Sequence, residues 1–280
     1  MTLYIAVDGK ISPEDAAQIS PLNPGLLFGE GLFETIRADA GIPFMLPEHL
    51  QRMRSGLETL GLDPPGNFDL TNTIIKELLS KNRLTEKSAV IKLICTQDQS
   101  GSSDIEQNPT TGLIIKTAAL DLEEIKRRQS GLRARIIPWS RNSDNPLLSL
   151  KSLNYLENRY ALQNAKQQGF GEGIFLNQNG ELCEGTFSNL FLIRKNRLLT
   201  PPLKAGLLPG ITRAFILKKA RSAGIKVNID SLFPEDLENC DGAFITSSLM
   251  HLAPLLKINQ IKFDPELTAS LKKIILDFFP

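Results

Sequence analysis

The 280-residue chain has few of the residues that build disulfide frameworks and metal centres. It contains three widely spaced cysteines, Cys95, Cys183 and Cys240, with no Cys-x-x-Cys pair, and only two histidines. An odd, scattered set of cysteines does not fit a disulfide framework, and two histidines do not favour a zinc centre. The sequence therefore predicts no metal site.

Net charge and long apolar runs are also lacking. The formal net charge is only +1, so the chain has no strong field to hold nucleic acid or an anionic membrane. No stretch approaches the roughly 20 apolar residues of a membrane helix. The start of the sequence lacks the basic region and apolar run of a signal peptide. These absences predict a cytoplasmic protein with no nucleic-acid or membrane partner.

The length and composition are those of a globular protein with two domains. Hydrophobic residues make up 41% and charged residues 22% of the sequence, and 280 residues are long for a single core. The first predicted domain, with short strands and two helices, covers residues 1–120. The charged segment Leu120–Gln129 lacks a strong apolar period, so we predict an interdomain linker at 121–130 and a larger C-terminal domain at 131–280.

Local signals predict several individual elements. The Asp-Gly dipeptide at 8–9 predicts a tight hairpin. A strand is expected at Ile42–Leu46, and a helix is expected to begin at Pro47. The polar segment Gln97–Pro109 is expected to be a loop near the substrate. A C-terminal helix is expected near Leu267–Phe278.

Lys151 lies in an apolar stretch, between Pro-Leu-Leu-Ser-Leu (146–150) and Ser-Leu-Asn-Tyr-Leu (152–156). An apolar setting disfavours the charged form of an amine, and a neutral amine can bond to an aldehyde. Lys151 is therefore a candidate for a covalent bond to a cofactor aldehyde. An ordinary surface or capping lysine is the alternative interpretation.

Two further features match the needs of pyridoxal phosphate. A carboxylate at Glu184, after a tight turn, suits the pyridine nitrogen of the cofactor, although a turn-capping role is the alternative. Gly210 precedes a predicted helix, whose free amides and Thr212 hydroxyl suit a phosphate. A simple helix cap at Thr212 is the alternative there.

Additional hydroxyl and basic groups suit the same phosphate. Thr-Ser-Ser at 246–248 follows a predicted buried strand, and Arg52 lies on a predicted helix. Either feature alone is weak, but together they predict a phosphate-binding shell.

These residues resemble those of the fold-type IV pyridoxal-phosphate enzymes, the class-IV aminotransferase family. That family includes branched-chain aminotransferases, D-amino-acid aminotransferases and 4-amino-4-deoxychorismate lyases. The resemblance covers six motifs in the family's order: Phe-Gly-Glu-Gly-Leu-Phe-Glu-Thr-Ile-Arg (28–37), His-Leu-Gln-Arg-Met-Arg-Ser (49–55), Lys-Ser-Leu-Asn-Tyr-Leu (151–156), Glu-Gly-Thr-Phe-Ser-Asn (184–189), Leu-Pro-Gly-Ile-Thr-Arg (208–213) and Thr-Ser-Ser-Leu-Met-His-Leu-Ala-Pro (246–254).

The resemblance implies a mixed α/β (α+β) fold with a small N-terminal α/β domain and a larger C-terminal domain, which is β-barrel-like with flanking helices. It also implies pyridoxal 5'-phosphate as cofactor and a homodimer with the active site near the interface. Lys151 would bond the cofactor and carry protons, Glu184 would pair with the ring nitrogen, and Tyr155 with the phenolic oxygen. The remaining residues implied to hold the phosphate or the ring are Arg52, Leu208, Ile211, Thr212, Ser247 and Ser248.

The motifs also bear on the reaction. The run Phe-Glu-Thr-Ile-Arg (33–37) and Ser-Leu-Met (248–250) look more like the lyases, which implies formation of 4-aminobenzoate and pyruvate for folate biosynthesis. The substrate would then contact Thr35, Arg37, Leu249 and Met250. Many lyases carry a substrate-binding arginine where this chain has Gln97, so Arg37 or Arg141 would have to supply the charge. A branched-chain or D-amino-acid aminotransferase is the alternative.

Overall fold

The computed structural model describes residues 2–98, 110–264, 275 and 277–279. It forms two compact units, Met1–Asp121 with Leu150–Asn154, and Leu122–Ser149 with Tyr155–Pro280. Most of the predicted loop Gln97–Pro109 and of the predicted helix Leu267–Phe278 lies outside the described residues. Gln97 and Asp98, the first two residues of the predicted loop, instead continue the strand Ala89–Asp98.

The first unit is built on a six-stranded antiparallel sheet with the order β2-β1-β6-β5-β3-β4. Its strands are β1 (Tyr4–Val7), β2 (Lys10–Pro13), β3 (Gly31–Asp39), β4 (Ile42–Pro43), β5 (Ala89–Asp98) and β6 (Thr110–Ala119). Its helices are α1 (Pro24–Leu27), α2 (Leu46–Thr59) and α3 (Thr71–Lys81). The predicted hairpin at Asp-Gly (8–9) is present between β1 and β2.

One face of this sheet is the core of the first unit. Alternate residues of β3, such as Leu32 and Ile36, are buried with Met53 and Leu57 of α2, since successive side chains of a strand point to opposite faces. The predicted strand Ile42–Leu46 is wrong beyond Pro43. Met45 adopts a left-handed conformation with φ 53°, which ends the extended chain, and α2 begins at the next residue.

The second unit contains nine strands and four helices within the described residues. The strands are β7 (Leu132–Arg141), β8 (Glu172–Asn177), β9 (Leu182–Gly185), β10 (Asn189–Arg194), β11 (Arg197–Thr200), β12 (Lys226–Ile229), β13 (Gly242–Ser247), β14 (His251–Ile258) and β15 (Ile261–Lys262). The helices are α4 (Leu122–Gln129), α5 (Leu156–Gln167), α6 (Ile211–Ser222) and α7 (Pro234–Glu238).

Six of these strands close into a barrel. The pairing runs β10-β13-β14-β7-β8-β9, and β9 pairs back with β10. Helix α6 buries Ile216 and Ala220 against β10 and β13, whereas α5 buries Ala161 and Ala165 beside β8 and β9. The predicted mixed α/β fold with a barrel-like larger domain is therefore confirmed.

Two segments differ from their predicted assignment. Leu122–Gln129 forms helix α4 rather than an irregular linker, and only Ile125 of that helix is buried. Leu150–Asn154, predicted within the larger domain, belongs to the first unit because its backbone pairs with β3.

Across the part of the chain that the structure describes, no helix combines the length and apolar character needed to cross a membrane.

Candidate active site

Lys151 is held by its backbone against the beginning of β3. The Phe33 N–H donates to the Lys151 carbonyl at 2.8 Å, and the Leu153 N–H donates to the Gly31 carbonyl at 2.9 Å. The Lys151 Nζ lies 4.3 Å from the centroid of the Phe33 ring. An ammonium over an aromatic face is oriented by the ring's negative face, so the structure fixes both the backbone and the amine of this lysine.

Two of the residues predicted to contact substrate, Thr35 and Arg37, share the Phe33 face of β3. Thr35 and Arg37 follow Phe33 at alternate positions, so their side chains point to the same side of the sheet. Arg37 is paired with Asp39, with 2.7 Å between Nε and Oδ2. Lys92, opposite Thr35 on β5, reaches the same ring, with its Nζ 5.2 Å from the Phe33 centroid.

Arg52, predicted to bind phosphate, forms a buried ion pair on the opposite face of β3. Its Nε and Nη2 donate to the two oxygens of Glu34, each at 2.7 Å, and His49 Nδ1 lies 2.7 Å from the same carboxylate. Burial opposes ionisation of Glu34, but the His49 hydrogen bond and the Arg52 charge outweigh it and lower the Glu34 pKa to about 2. The carboxylate thus fixes one edge of the guanidinium.

Glu184, predicted to meet the pyridine nitrogen, is 6% exposed and receives hydrogen bonds from three directions. Arg141 Nη1 donates to Oε1 at 3.0 Å, and the Asn189 amide and the Leu208 N–H donate to Oε2 at 3.2 and 3.1 Å. Charge-assisted bonds of this kind orient a carboxylate strongly. Glu184 is therefore preorganised within the second unit.

Arg141, considered above as a substrate-binding cation, pairs with two carboxylates of the second unit. Its guanidinium lies 3.5 Å from the centroid of the Phe175 ring, and its Nε donates to Glu157 at 3.1 Å. Together with the bond to Glu184, these contacts bury its side chain to 2% exposure. The structure makes Arg141 the counter-ion of two carboxylates.

The start of α6 presents a buried hydroxyl. Thr212 is 3% exposed, and among the described residues its Oγ1 has no hydrogen-bond partner. Gly210, just before the helix, leaves room for Asn189, since a Cβ there would lie 1.9 Å from Asn189 Oδ1. Buried hydroxyls are normally satisfied, so Thr212 and the Ile211 amide beside it form a cradle suited to an anion such as phosphate.

Strand register brings the hydroxyl run after β13 toward Glu184. Glu184 pairs with Asn189, and Asn189 pairs with Thr246, so three neighbouring strands align these residues in a row. Ser247 ends β13, and Ser248 follows in the turn to β14.

The same turn contains the predicted substrate residues Leu249 and Met250. Leu249 is partly exposed, whereas the Met250 side chain is buried. The Met250 carbonyl accepts a hydrogen bond from Gln129 at 2.8 Å, so the end of α4 holds this turn.

Tyr155, predicted to contact the phenolic oxygen, immediately precedes α5. Its ring packs against Phe187, with 5.3 Å between centroids. Phe187 belongs to the turn that follows Glu184, so the structure connects these two predicted cofactor ligands through one turn.

The cysteines are not candidates for nucleophiles. Burial raises the pKa of Cys95 and of Cys183 to about 12, and that of Cys240 to about 11. Thiols with such values are protonated at neutral pH and react slowly.

Several residues of these arrangements are not predictable from the sequence. Lys92 is one of many lysines, and only its alternate position on a strand indicates that it shares a face with Thr35. Glu34 and Asn189 lie within the motifs, but the sequence alone gives neither of them a role. Their functions depend on partners distant in sequence, such as Arg52 and Leu208.

The comparisons with known proteins agree with the motifs. The family model described as amino-transferase class IV matches residues 31–258. An aminodeoxychorismate lyase from Bacillus subtilis is 29% identical to the chain, with 92% of this chain and 88% of the relative covered. A provisionally named branched-chain-amino-acid aminotransferase from Methanocaldococcus jannaschii is 32% identical, with the same coverage.

The solved structures similar to this chain are also named for both activities. A branched-chain amino acid aminotransferase from Escherichia coli has a TM-score of 0.89 at 26% identity, covering 100% of this chain and 95% of that one. A provisionally named 4-amino-4-deoxychorismate lyase from Legionella pneumophila has a TM-score of 0.83 at 30% identity, with 94% and 97% covered. The chain belongs to the class IV aminotransferase family, whose members are enzymes that depend on pyridoxal phosphate.

Proposed function

We propose that this chain is a pyridoxal-phosphate-dependent 4-amino-4-deoxychorismate lyase, which forms 4-aminobenzoate and pyruvate. The observation that carries the proposal is the β3 face that Lys151 contacts through Phe33. Besides an aromatic ring, that face bears the Thr35 hydroxyl, the Lys92 amine, and the Arg37 guanidinium with its partner Asp39.

Two cations on one face suit a substrate with two carboxylates. Aminodeoxychorismate carries one carboxylate on its ring and one on its enolpyruvyl group, whereas a branched-chain amino acid has one carboxylate and an apolar side chain. Among the described residues, no carboxylate lies within ion-pair distance of Lys92. We infer that Lys92 and Arg37 bind the substrate carboxylates. Many lyases use an arginine for this purpose at the position where this chain has Gln97.

The donor groups of the chain fit pyridoxal phosphate. The buried Thr212 hydroxyl, which has no hydrogen-bond partner within the described part of the chain, and the helix start beside it suit the phosphate. The carboxylate of Glu184, held by three donors, suits the ring nitrogen. We assign the further cofactor contacts to Arg52, Tyr155, Leu208, Ile211, Ser247 and Ser248.

When bound, pyridoxal phosphate supplies a ring that accepts electrons from a carbon losing a proton. Lys151 Nζ is the proposed base, which takes the proton from the amine-bearing ring carbon of the substrate. The bond between the ring and the enolpyruvyl oxygen then breaks, and Lys151, giving up that proton, or the Thr35 hydroxyl would protonate the departing group, which leaves as pyruvate. The product ring becomes aromatic, which supplies the driving force.

An aminotransferase for branched-chain or D-amino acids is the second candidate. It is favoured by the 32% identity to the M. jannaschii relative and by the E. coli structure. Lys151 would again be the base, and Glu184 would again pair with the ring nitrogen. The Lys92 face is compatible with this reaction too, because 2-oxoglutarate is also a dicarboxylate.

A side-by-side turnover assay separates the two candidates. The cofactor-loaded protein is incubated with aminodeoxychorismate, and separately with branched-chain or D-amino acids plus 2-oxoglutarate. We expect 4-aminobenzoate and pyruvate from the first mixture, with no product from the Lys151→Ala variant. Turnover in the second mixture alone would reject the lyase proposal.

We also infer a cytoplasmic homodimer. Leu156 and Tyr160 of α5 lie one helical turn apart and are 79% and 58% exposed, which suits burial against a second copy.

Fractionation of cells, with an antibody to detect the chain, tests the proposed cytoplasmic location. Recovery of the chain in the membrane fraction would contradict that location.

A further inference from the structure

Glu172 is a buried carboxylate to which no motif draws attention. It begins β8, is 1% exposed, and lies twelve residues before Glu184. A carboxylate as buried as this one requires several donors, and the structure provides them from one short turn.

The turn is Gly185–Ser188, which connects β9 to β10. The Thr186 N–H donates to Glu172 Oε1 at 3.0 Å, and the Thr186 hydroxyl donates to the same oxygen. The Ser188 hydroxyl donates to Oε2 at 3.2 Å. One carboxylate thus binds two of the four residues of the turn.

Glu172 is itself fixed from its other side. The Gly173 N–H donates to Oε1 at 3.0 Å. Arg128 Nη2 lies 3.6 Å from Oε2 and supplies a positive charge. Arg128 belongs to α4, the segment that the sequence predicted to be a linker. These two contacts hold the carboxylate from outside the turn.

The turn holds predicted cofactor ligands at its base and at its tip. Its two flanking residues are Glu184 and Asn189, which pair across the strands, and the Asn189 amide donates to Glu184. At the tip, the Phe187 ring packs on Tyr155. The Thr186 carbonyl accepts from Asn158 of α5 at 2.6 Å, one turn beyond Tyr155.

Gly185 leaves room for the Ser188 hydroxyl where the turn passes the carboxylate. A Cβ on Gly185 would lie 2.1 Å from Ser188 Oγ and 3.3 Å from Glu172 Cδ. Each residue of Glu-Gly-Thr-Phe-Ser-Asn (184–189) therefore has a distinct physical role in this arrangement.

We propose that Glu172 is a positioning residue, which sets the places of Glu184 and Tyr155 by fixing the turn between β9 and β10. Its own contacts are with Arg128, Gly173, Thr186 and Ser188. The inference rests on the proposed pyridoxal-phosphate site, but not on the choice between lyase and aminotransferase.

The test compares Thr186→Val, which removes the hydroxyl bonded to Glu172, with Thr186→Ser, which keeps it. Cofactor titrations give the dissociation constant of pyridoxal phosphate, and spectra give the absorption maximum of the bound cofactor. We expect Thr186→Val to weaken cofactor binding about tenfold or more and to shift the maximum, because a charge-assisted bond is lost. Thr186→Ser should restore both values.

Glu172→Gln should act in the same direction, since one of its carboxylate oxygens becomes a donor that faces other donors. The matched control is Glu181→Gln, on the opposite end of the β8–β9 hairpin, where Glu181 accepts from Asn177 instead. We expect this control to bind the cofactor like the parent.

Two outcomes would overturn the inference. If Thr186→Val and Glu172→Gln lower the melting temperature but keep the parental dissociation constant and spectrum, Glu172 only stabilises the fold. If the parent itself binds no pyridoxal phosphate, the proposed function fails with it, and that failure is visible without any variant. A parent that binds cofactor but lacks lyase turnover leaves the inference standing.

Discussion

At the scale of single residues, the chain places its charged groups in buried, specific pairs. Glu34 forms an ion pair with Arg52, and Glu184 forms one with Arg141. Glu172 accepts hydrogen bonds from the turn Gly185–Ser188. Removing one partner of a buried pair leaves an uncompensated charge, which costs more than the pair itself contributes. These residues therefore offer the sharpest single-site tests.

Glu34→Gln should lower stability in a pH-dependent way. The pKa of Glu34 is about 2 in the folded chain, below its usual value of 4.5. A depressed pKa contributes stability above the unfolded value, and this contribution is lost as the pH falls from about 4.5 toward 2. We expect Glu34→Gln to be less stable by roughly 3 kcal/mol at pH 7.

Urea unfolding of both proteins between pH 7 and pH 3 measures this effect. The difference between them should shrink as the solution becomes acidic. A difference that stays constant over this range would show that the Glu34 charge is not what stabilises the pair.

Lys92→Ala should affect substrate binding more than the chemical step. If Lys92 binds a substrate carboxylate, its loss should raise KM for aminodeoxychorismate about tenfold or more, the effect of losing a bond to a charged group. Steady-state kinetics measure it. Lys87→Ala removes an exposed lysine of the same unit and is the control. An unchanged KM for Lys92→Ala would remove Lys92 from the proposed substrate site.

At the scale of elements, the segment Leu150–Asn154 is an added piece of the first unit's sheet. Its backbone bonds to Gly31 and Phe33 leave little room at this end of β3. A Cβ on Gly31 would lie 2.4 Å from the Cys95 carbonyl oxygen and 2.9 Å from Leu153. The closeness of three backbone segments therefore depends on a missing side chain.

Gly31→Ala should destabilise the protein and disturb the lysine segment. We expect a loss of more than about 2 kcal/mol, because backbone cannot move aside as a flexible side chain can. Chemical denaturation gives the value. Gly66→Ala is the matched control, since a Cβ there meets nothing within 4 Å. Equal stability of the two variants would contradict the close approach at Gly31.

Elements marked by turn residues were predictable from the sequence. The Asp-Gly hairpin and the helix that begins near Pro47 are present because their signals act over a few residues. Helix α4 was not predictable, since it buries only Ile125 and depends on contacts such as that of Gln129 with the Met250 carbonyl.

At the scale of the whole molecule, the fold and the family could be predicted from the sequence. Motif residues such as Lys151 and Glu184 carry a recognisable spacing. The residues that support them have no such spacing. The roles of Glu172 and Lys92 are visible only when strands β8 and β5 align them with their partners. Long-range register of this kind is not visible in local sequence patterns.

The proposed dimer gives a test at the same scale. Leu156→Asp places a charge on an apolar side chain that is 79% exposed in the single chain. Light scattering should show the parent at twice the chain mass and the variant shifted toward the monomer, because charges are unfavourable in interface cores. Leu203→Asp, at 49% exposure on the short turn Leu203–Ala205, is the comparison. A parent that runs as a monomer would reject the dimer.

The central claim is that the Lys151 amine, fixed over the Phe33 ring, bonds the cofactor. Borohydride reduction of the protein loaded with pyridoxal phosphate, followed by peptide mass spectrometry, tests it most directly. We predict a pyridoxyl mass on the peptide that contains Lys151, and no label in Lys151→Ala. A label on Lys92, whose amine approaches the same ring, or on no lysine at all, would contradict the claim.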